Sequence, residues 1–160
     1  MTDQPVQFQP VQYHLAQINI ARLRFGLDDP QMAEFVAVLE PINQIAEITP
    51  GFVWRQKADD GRSGSYVEHP FAPDILVNFS VWENTDALKH FTYQSGHGSY
   101  FRRRLDWFVP LEKPGMAMWW IPAGHTPTLP EAKVRYDHLL EHGPSEYAFG
   151  FKDDFPAPQK

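Results

Sequence analysis

The segment Ile75-Leu-Val-Asn-Phe-Ser-Val-Trp82 constrains the fold more than any other part of the chain. Strand alternation puts Ile75, Val77, Phe79 and Val81 on one face and Leu76, Asn78, Ser80 and Trp82 on the other. The first face is wholly apolar and the second is mixed, so neither can be left wet. Met116-Ala-Met-Trp-Trp-Ile121, stopped by Pro122, poses the same problem in a second strand. A chain with two such strands needs material on both sides of its sheet.

The remaining elements fall around these two. Tyr13–Ala21 reads as a strand with His14, Ala16, Ile18 and Ile20 on one face and Tyr13, Leu15, Gln17 and Asn19 on the other. Asp29-Pro30 supplies an N-cap and a first-turn proline. Met32, Phe35, Val36, Leu39, Ile42 and Ala46 then follow at helical spacing. Pro41 lies inside that pattern, lacks an N–H for Ala37, and should kink or divide the helix. Pro50-Gly51 ends it, and Phe52–Arg55 is a short strand. Residues 57–74 carry Gly61, Gly64, Pro70 and Pro73 and read as a hairpin loop. Asn84 or Thr85 caps a second helix bearing Ala87, Leu88 and Phe91. Gly96 and Gly98 interrupt it, and a further helical stretch runs from about Ser99 to Phe108. Thr128-x-x-Glu131 is a capping box for a last helix with Ala132, Tyr136, Leu139 and Leu140 inward.

The order is β-α-β-β-α-β plus a C-terminal helix, an α+β ferredoxin-like arrangement with a four-stranded antiparallel sheet. Residues 13–151 form a single domain between a flexible start, 1–12, and a loose tail, 152–160, with Phe149 and Phe151 docking before the tail. Helices are expected on one face only. A second copy is therefore expected to cover the other, giving a homodimer with its sheets face to face, a dimeric α/β barrel.

Composition narrows the function classes. The chain has no cysteine, which removes disulfides, thiolate metal sites and a cysteine nucleophile. Its net charge is −6, and no run of Lys and Arg is long enough to track a phosphate backbone, against a nucleic-acid partner. It shows neither a signal peptide nor an 18-residue apolar stretch, so no membrane role and a cytoplasmic location are expected. Aromatic residues reach 14%, with five tryptophans, which calls for a large aromatic core or an aromatic-lined cavity. There is no nucleophile elbow and no phosphate loop.

The run Asn78-Phe-Ser-Val-Trp82-Glu83, then Ala87-Leu88 and Ser95-Gly-His97, resembles the strand-to-helix segment of the dimeric α/β-barrel superfamily. That superfamily includes antibiotic-biosynthesis and heme-degrading monooxygenases. The fuller pattern adds His14-Leu-Ala-Gln17, Arg103-Arg104-x-x-Trp107-Phe108, Trp119-Trp-Ile-Pro-Ala-Gly-His125-x-Pro127 and Gly143-Pro144. It is similar to a bacterial family of unknown function within that superfamily, over roughly residues 13–151. The resemblance implies the fold and the dimer. It also implies small-molecule oxidation without an obligatory cofactor, because quinone-forming relatives place an Asn and a Trp four residues apart with an Arg nearby.

Asn78 and Trp82 face one side of their strand, about 13 Å apart along it, with Ser80 between them. Either they serve a ligand's ring and oxygen, or Asn78 satisfies backbone and Trp82 is core. Around the helix after Gly98, His97, Arg104, Leu105 and Phe108 fall within about 60° of Phe101. An inward Arg104 needs an anionic ligand or a carboxylate such as Asp106 or Glu83, unless it snorkels to water.

The expected enzyme acts on an aromatic or quinone-like molecule. Asn78, Arg104 and His97 are its candidate catalytic groups; Trp82, Trp119, Trp120, Ser80 and His125 are candidates for substrate binding. The alternative is a non-catalytic small-molecule or heme-binding dimer, with His97 on iron and Asn19 in the first strand. His138 and His142 stand at i,i+4, but two ligands do not make a metal site, and none is expected.

Overall fold

The computed structural model describes residues 11–58, 61–94, 103–153 and 155–159. Strand β1 (Tyr13–Leu23) leads to a 3-10 turn at Pro30–Met32 and helix α1 (Ala33–Ile48). Then come β2 (Phe52–Arg55), β3 (Ile75–Trp82), α2 (Thr85–Gln94), the short β4 (Phe108–Val109), β5 (Met116–Pro122) and α3 (Leu129–His142). Residues 103–107 are helical and lead into β4. The sheet runs β2-β3-β1 and continues to β5, with β4 extending β1 at its other end, and every pairing is antiparallel. The fold is α+β, with the strand order and crossovers of a ferredoxin-like sheet.

Local chemistry sets the boundaries. Asp29 accepts from the Gln31 amide, and Pro30 opens the 3-10 turn. Asn84 caps α2 by accepting from the Ala87 amide at 2.9 Å. Thr128 and Glu131 complete the expected capping box of α3. The expected division at Pro41 does not occur: one helix passes through it, because Pro41 is solvent-exposed and a single lost backbone bond is carried by the turns on either side. Gly51 has φ +90°, and a Cβ there would collide with the Ala87 methyl, so the turn into β2 and the base of α2 require glycine.

The two faces of the sheet are covered differently. Ala16, Ile18, Val77, Phe79, Ala117 and Trp119 point to one side and pack under α3 through Leu129, Ala132, Tyr136 and Leu139. Tyr136 anchors the helix by donating to the Pro114 carbonyl at 2.7 Å. This revises the argument for a face-to-face dimer, which assumed that one chain supplies helices for one face only. Val77, Phe79 and Trp119 are at most 3% exposed within a single chain, so no apolar face is left there for a second copy. The last helix forms where its capping box predicts, and its apolar side covers this face of the sheet. Phe149 exchanges two backbone hydrogen bonds with Met118 at the outer edge of β5, and its side chain packs with Leu15, Trp82 and Met118 on the opposite face.

The opposite side faces α1 and α2. Ala46 is the one fully buried residue of α1, while Phe35, Val38, Leu39, Ile42 and Asn43 remain half-buried. Helix α1 therefore stands off the sheet and encloses space beneath it. Among the described residues, no helix is long and apolar enough to cross a membrane.

Candidate functional site

Cross-strand register lays three rows of side chains beneath α1 and α2. Trp120, Leu15, Trp82 and Phe52 form an apolar row. The next row is Met118, Gln17, Ser80 and Arg55, two residues away on β1, β3 and β5 and three on β2, where the pairing is bulged between Phe52 and Trp54. Met116, Asn19 and Asn78 form the third row. Five polar side chains thus stand together on β1, β3 and the edge strand β2, where a sheet face covered by helices would ordinarily be apolar.

Over them lies a cavity of about 550 Å³, within the size range of small-molecule sites. Phe52, Trp82, Leu88, Phe91, Met116 and Phe151 give it apolar walls, and Ile42, Asn43 and Ala46 close it from α1. Trp82 is 1% exposed, stacks on Phe91 at 5.1 Å and meets Phe52 edge-on. Its indole N–H donates to Ser80 Oγ at 2.9 Å, and Gln17 Nε2 donates to the same oxygen at 2.6 Å. Gln17 Nε2 also lies 3.4 Å from Asn78 Oδ1. Ser80 is thereby the hub that fixes both the ring plane of Trp82 and the amide of Gln17. Asn19 and Asn78 face each other across the strands and are exposed to the cavity.

Arg55 completes the middle row. Its Nε donates to Glu47 at 2.8 Å and its Nη2 to Glu40 at 3.1 Å, while Lys57 reaches Glu47 at 3.2 Å. Hydrogen bonds from Arg55 and then Lys57 hold the Glu47 carboxyl below its ordinary value. Sequence reasoning missed Arg55. The available signal was an Arg ending a strand with Glu40 and Glu47 seven apart on the preceding helix, close to two turns and so on one face.

A second cavity of about 280 Å³ shares Asn19, Ile42, Asn43 and Asn78 with the first and extends to Phe35, Arg104 and Phe108. Asn78 and Arg104 are therefore brought to one space, as expected from their phases. Arg104 is exposed there, however, so the desolvated anchor expected from the helical phase is not present. Asp106 pairs with Arg103, which also binds Glu34.

The other candidates divide sharply. Ser80 and Trp82 are in the cavity. Trp119 points to the opposite face and is packed on Phe79 under α3, because it occupies an odd position of β5. Trp120 is on the cavity side but beyond its wall, with its indole N–H donating to the Phe155 carbonyl at 2.8 Å. His125 is exposed and bonds Glu131 at 3.0 Å, reinforcing the capping box of α3 away from the cavity. His97 lies outside the described residues. His138 meets the rings of His142 and Tyr147 at tilted angles, and no cluster of three potential metal ligands occurs among the described residues.

Comparison with known proteins gives a family and a distant structural likeness. The family described as a domain of unknown function, DUF3291, matches residues 14–160. No curated protein matches the chain. One similar crystal structure comes from Chloroflexus aurantiacus J-10-fl and is provisionally named an antibiotic biosynthesis monooxygenase. It shares 14% identity, covers 72% of this chain and 98% of its own, and superposes with a TM-score of 0.40.

Proposed function

We propose, for a chain that belongs to the DUF3291 family, that the cavity between sheet and helices binds an aromatic or quinone-like small molecule and oxidises it with dioxygen, without an obligatory cofactor. The observation that carries the reading is a hydrogen-bonding floor of Gln17, Asn19, Asn78 and Ser80 beneath the aromatic walls Phe52, Trp82 and Phe91. Such a site holds a ring by its faces and its oxygen substituents by amides. The reaction balances with dioxygen alone. A phenol loses its O–H and one ring C–H, one oxygen atom becomes the second ring carbonyl, and the other leaves as water. Amide donors at Asn78 and Asn19 would favour this by stabilising the phenolate from which an electron first passes to oxygen. Arg104, at the rim of the adjoining cavity, would attract anionic charge without being buried.

A second reading, a non-catalytic carrier of the same ligands, is favoured by one feature: no carboxylate or imidazole is among the described residues that line the larger cavity. The heme form of that reading depends on His97, outside the described residues. The test is to titrate the protein with hydroxynaphthalenes and hydroxyquinones, following tryptophan fluorescence and oxygen uptake together. Saturable quenching that is largely lost in Trp82→Phe, with one dioxygen consumed per quinone formed, is the expected result. Binding without oxygen uptake would replace the enzyme by the carrier, and no binding would overturn both.

A further inference from the structure

The two cavities beneath α1 are not independent. They meet at four residues that line both, Asn19, Ile42, Asn43 and Asn78. Asn19 and Asn78 are register partners on β1 and β3, and Asn43 reaches the same space from α1. Central strands beneath helices ordinarily carry buried apolar side chains, yet Asn19 and Asn78 are both exposed. The side chains of Asn19 and Asn43 have no hydrogen-bond partner among the described residues, and that of Asn78 accepts only from Gln17, at 3.4 Å. Three carboxamides therefore stand at the waist between two compartments, two of them open to whatever passes through it.

The compartments differ in chemistry. The larger has the aromatic walls Phe52, Trp82 and Phe91. In the smaller, of about 280 Å³, Val38 and Leu39 from α1 join Ala21 and Leu76 from the sheet in a mainly aliphatic lining. Arg104, exposed, marks where that compartment reaches solvent. A ring held by Phe52, Trp82 and Phe91 leaves the smaller compartment and the amides of the waist unanswered. None of the four shared residues is charged, so the waist suits a neutral polar group. We infer that the ligand has two parts: an aromatic head in the larger compartment and a short apolar chain in the smaller one, joined by an uncharged hydrogen-bonding group at Asn19, Asn43 and Asn78. Aryl ketones, esters and amides with a short alkyl chain are the class described. The inference rests on the aromatic-ligand reading above and names the substrate class within it.

Fluorescence titration of the full chain with 6-dimethylamino-2-acylnaphthalenes tests it, the acyl group being acetyl, propionyl or butyryl. Each probe has a carbonyl between ring and chain, and its emission moves to the red when that carbonyl accepts a hydrogen bond. Affinity should rise about fourfold for each added methylene that leaves water, roughly fifteenfold from acetyl to butyryl. Ala21→Phe, which fills the smaller compartment from β1, should abolish that rise and leave acetyl binding unchanged. Val38→Trp should do the same from α1, and it carries the test if circular dichroism shows that Ala21→Phe does not fold. Asn19→Leu should weaken all three probes about fivefold, the scale of one hydrogen bond, and move their bound emission to the blue. A flat series in the wild type, or a rise that survives filling of the smaller compartment, would overturn the two-part ligand and leave an aromatic site. Emission and affinity unchanged in Asn19→Leu would overturn the polar link at the waist. Binding of none of the three would remove the aromatic site itself, and the inference with it.

Discussion

Leu139 lies on the buried side of α3, 7% exposed, in the cluster that includes Val77, Phe79 and Trp119. Replacing it by alanine deletes three carbons from the layer that covers the sheet. At about 0.8 kcal/mol for each buried carbon, the transfer loss is about 2.4 kcal/mol, and the residual cavity raises it to about 3–4 kcal/mol. In a chain of this size each kcal/mol lowers the melting temperature by roughly 2–4 °C. Leu139→Ala should therefore melt roughly 6–16 °C below wild type. Val134→Ala, on the same helix at 56% exposure, is the control and should change stability by no more than about 0.5 kcal/mol. Urea and thermal unfolding measure both. If Leu139→Ala were no worse than the control, α3 would not be the cover, and the apolar face of β3 and β5 would have to be buried by something else, a second copy first among the alternatives.

Ser80→Ala removes the oxygen that accepts from both Trp82 and Gln17, leaving two buried donors, and should cost about 1–3 kcal/mol while broadening Trp82 emission. Glu47 has a lowered folded pKa, so its contribution is present above the ordinary carboxylate range and is lost as pH falls through the folded value. The stability gap between wild type and Glu47→Gln should accordingly be widest near neutrality and narrow on acidification. Urea midpoints at about pH 7 and about pH 3.5 give the comparison, and a gap that widened in acid would refute the assignment.

The face assignments of β1, β3 and β5 were legible from alternation, because a strand's period of two leaves little freedom once one face is apolar. That period alone puts Asn78, Ser80 and Trp82 on one face. Trp119 and Trp120 were also on opposite faces by the same rule, and grouping both as ring contacts set the rule aside for residue type. Arg55 was not legible as a site residue, since its importance comes from pairing with Ser80 across a loop of uncertain length and with two glutamates on α1. The cover provided by α3 was equally hidden. Its inward residues look alike whichever side of the sheet receives them, and the choice is made by the loop from Pro122 to Thr128 rather than by helical phase. Arg104 shows the reverse limit, because helical phase alone does not fix burial, and the residue is exposed at the cavity it lines.

β1 occupies the middle of the sheet but comes first in the chain among its strands. Its contact to β3 joins residues 61 positions apart, and that to β5 reaches further still. During synthesis at about 5–20 residues per second, this strand must wait about 3–12 s for any partner. Throughout that interval Leu15, Ala16 and Ile18, wholly enclosed in the finished molecule, have only α1 and solvent for company. The stretch around Gln17 is thus the part of the nascent chain most open to chaperones or to mispairing, and its amides serve there as polar breaks before they serve the cavity.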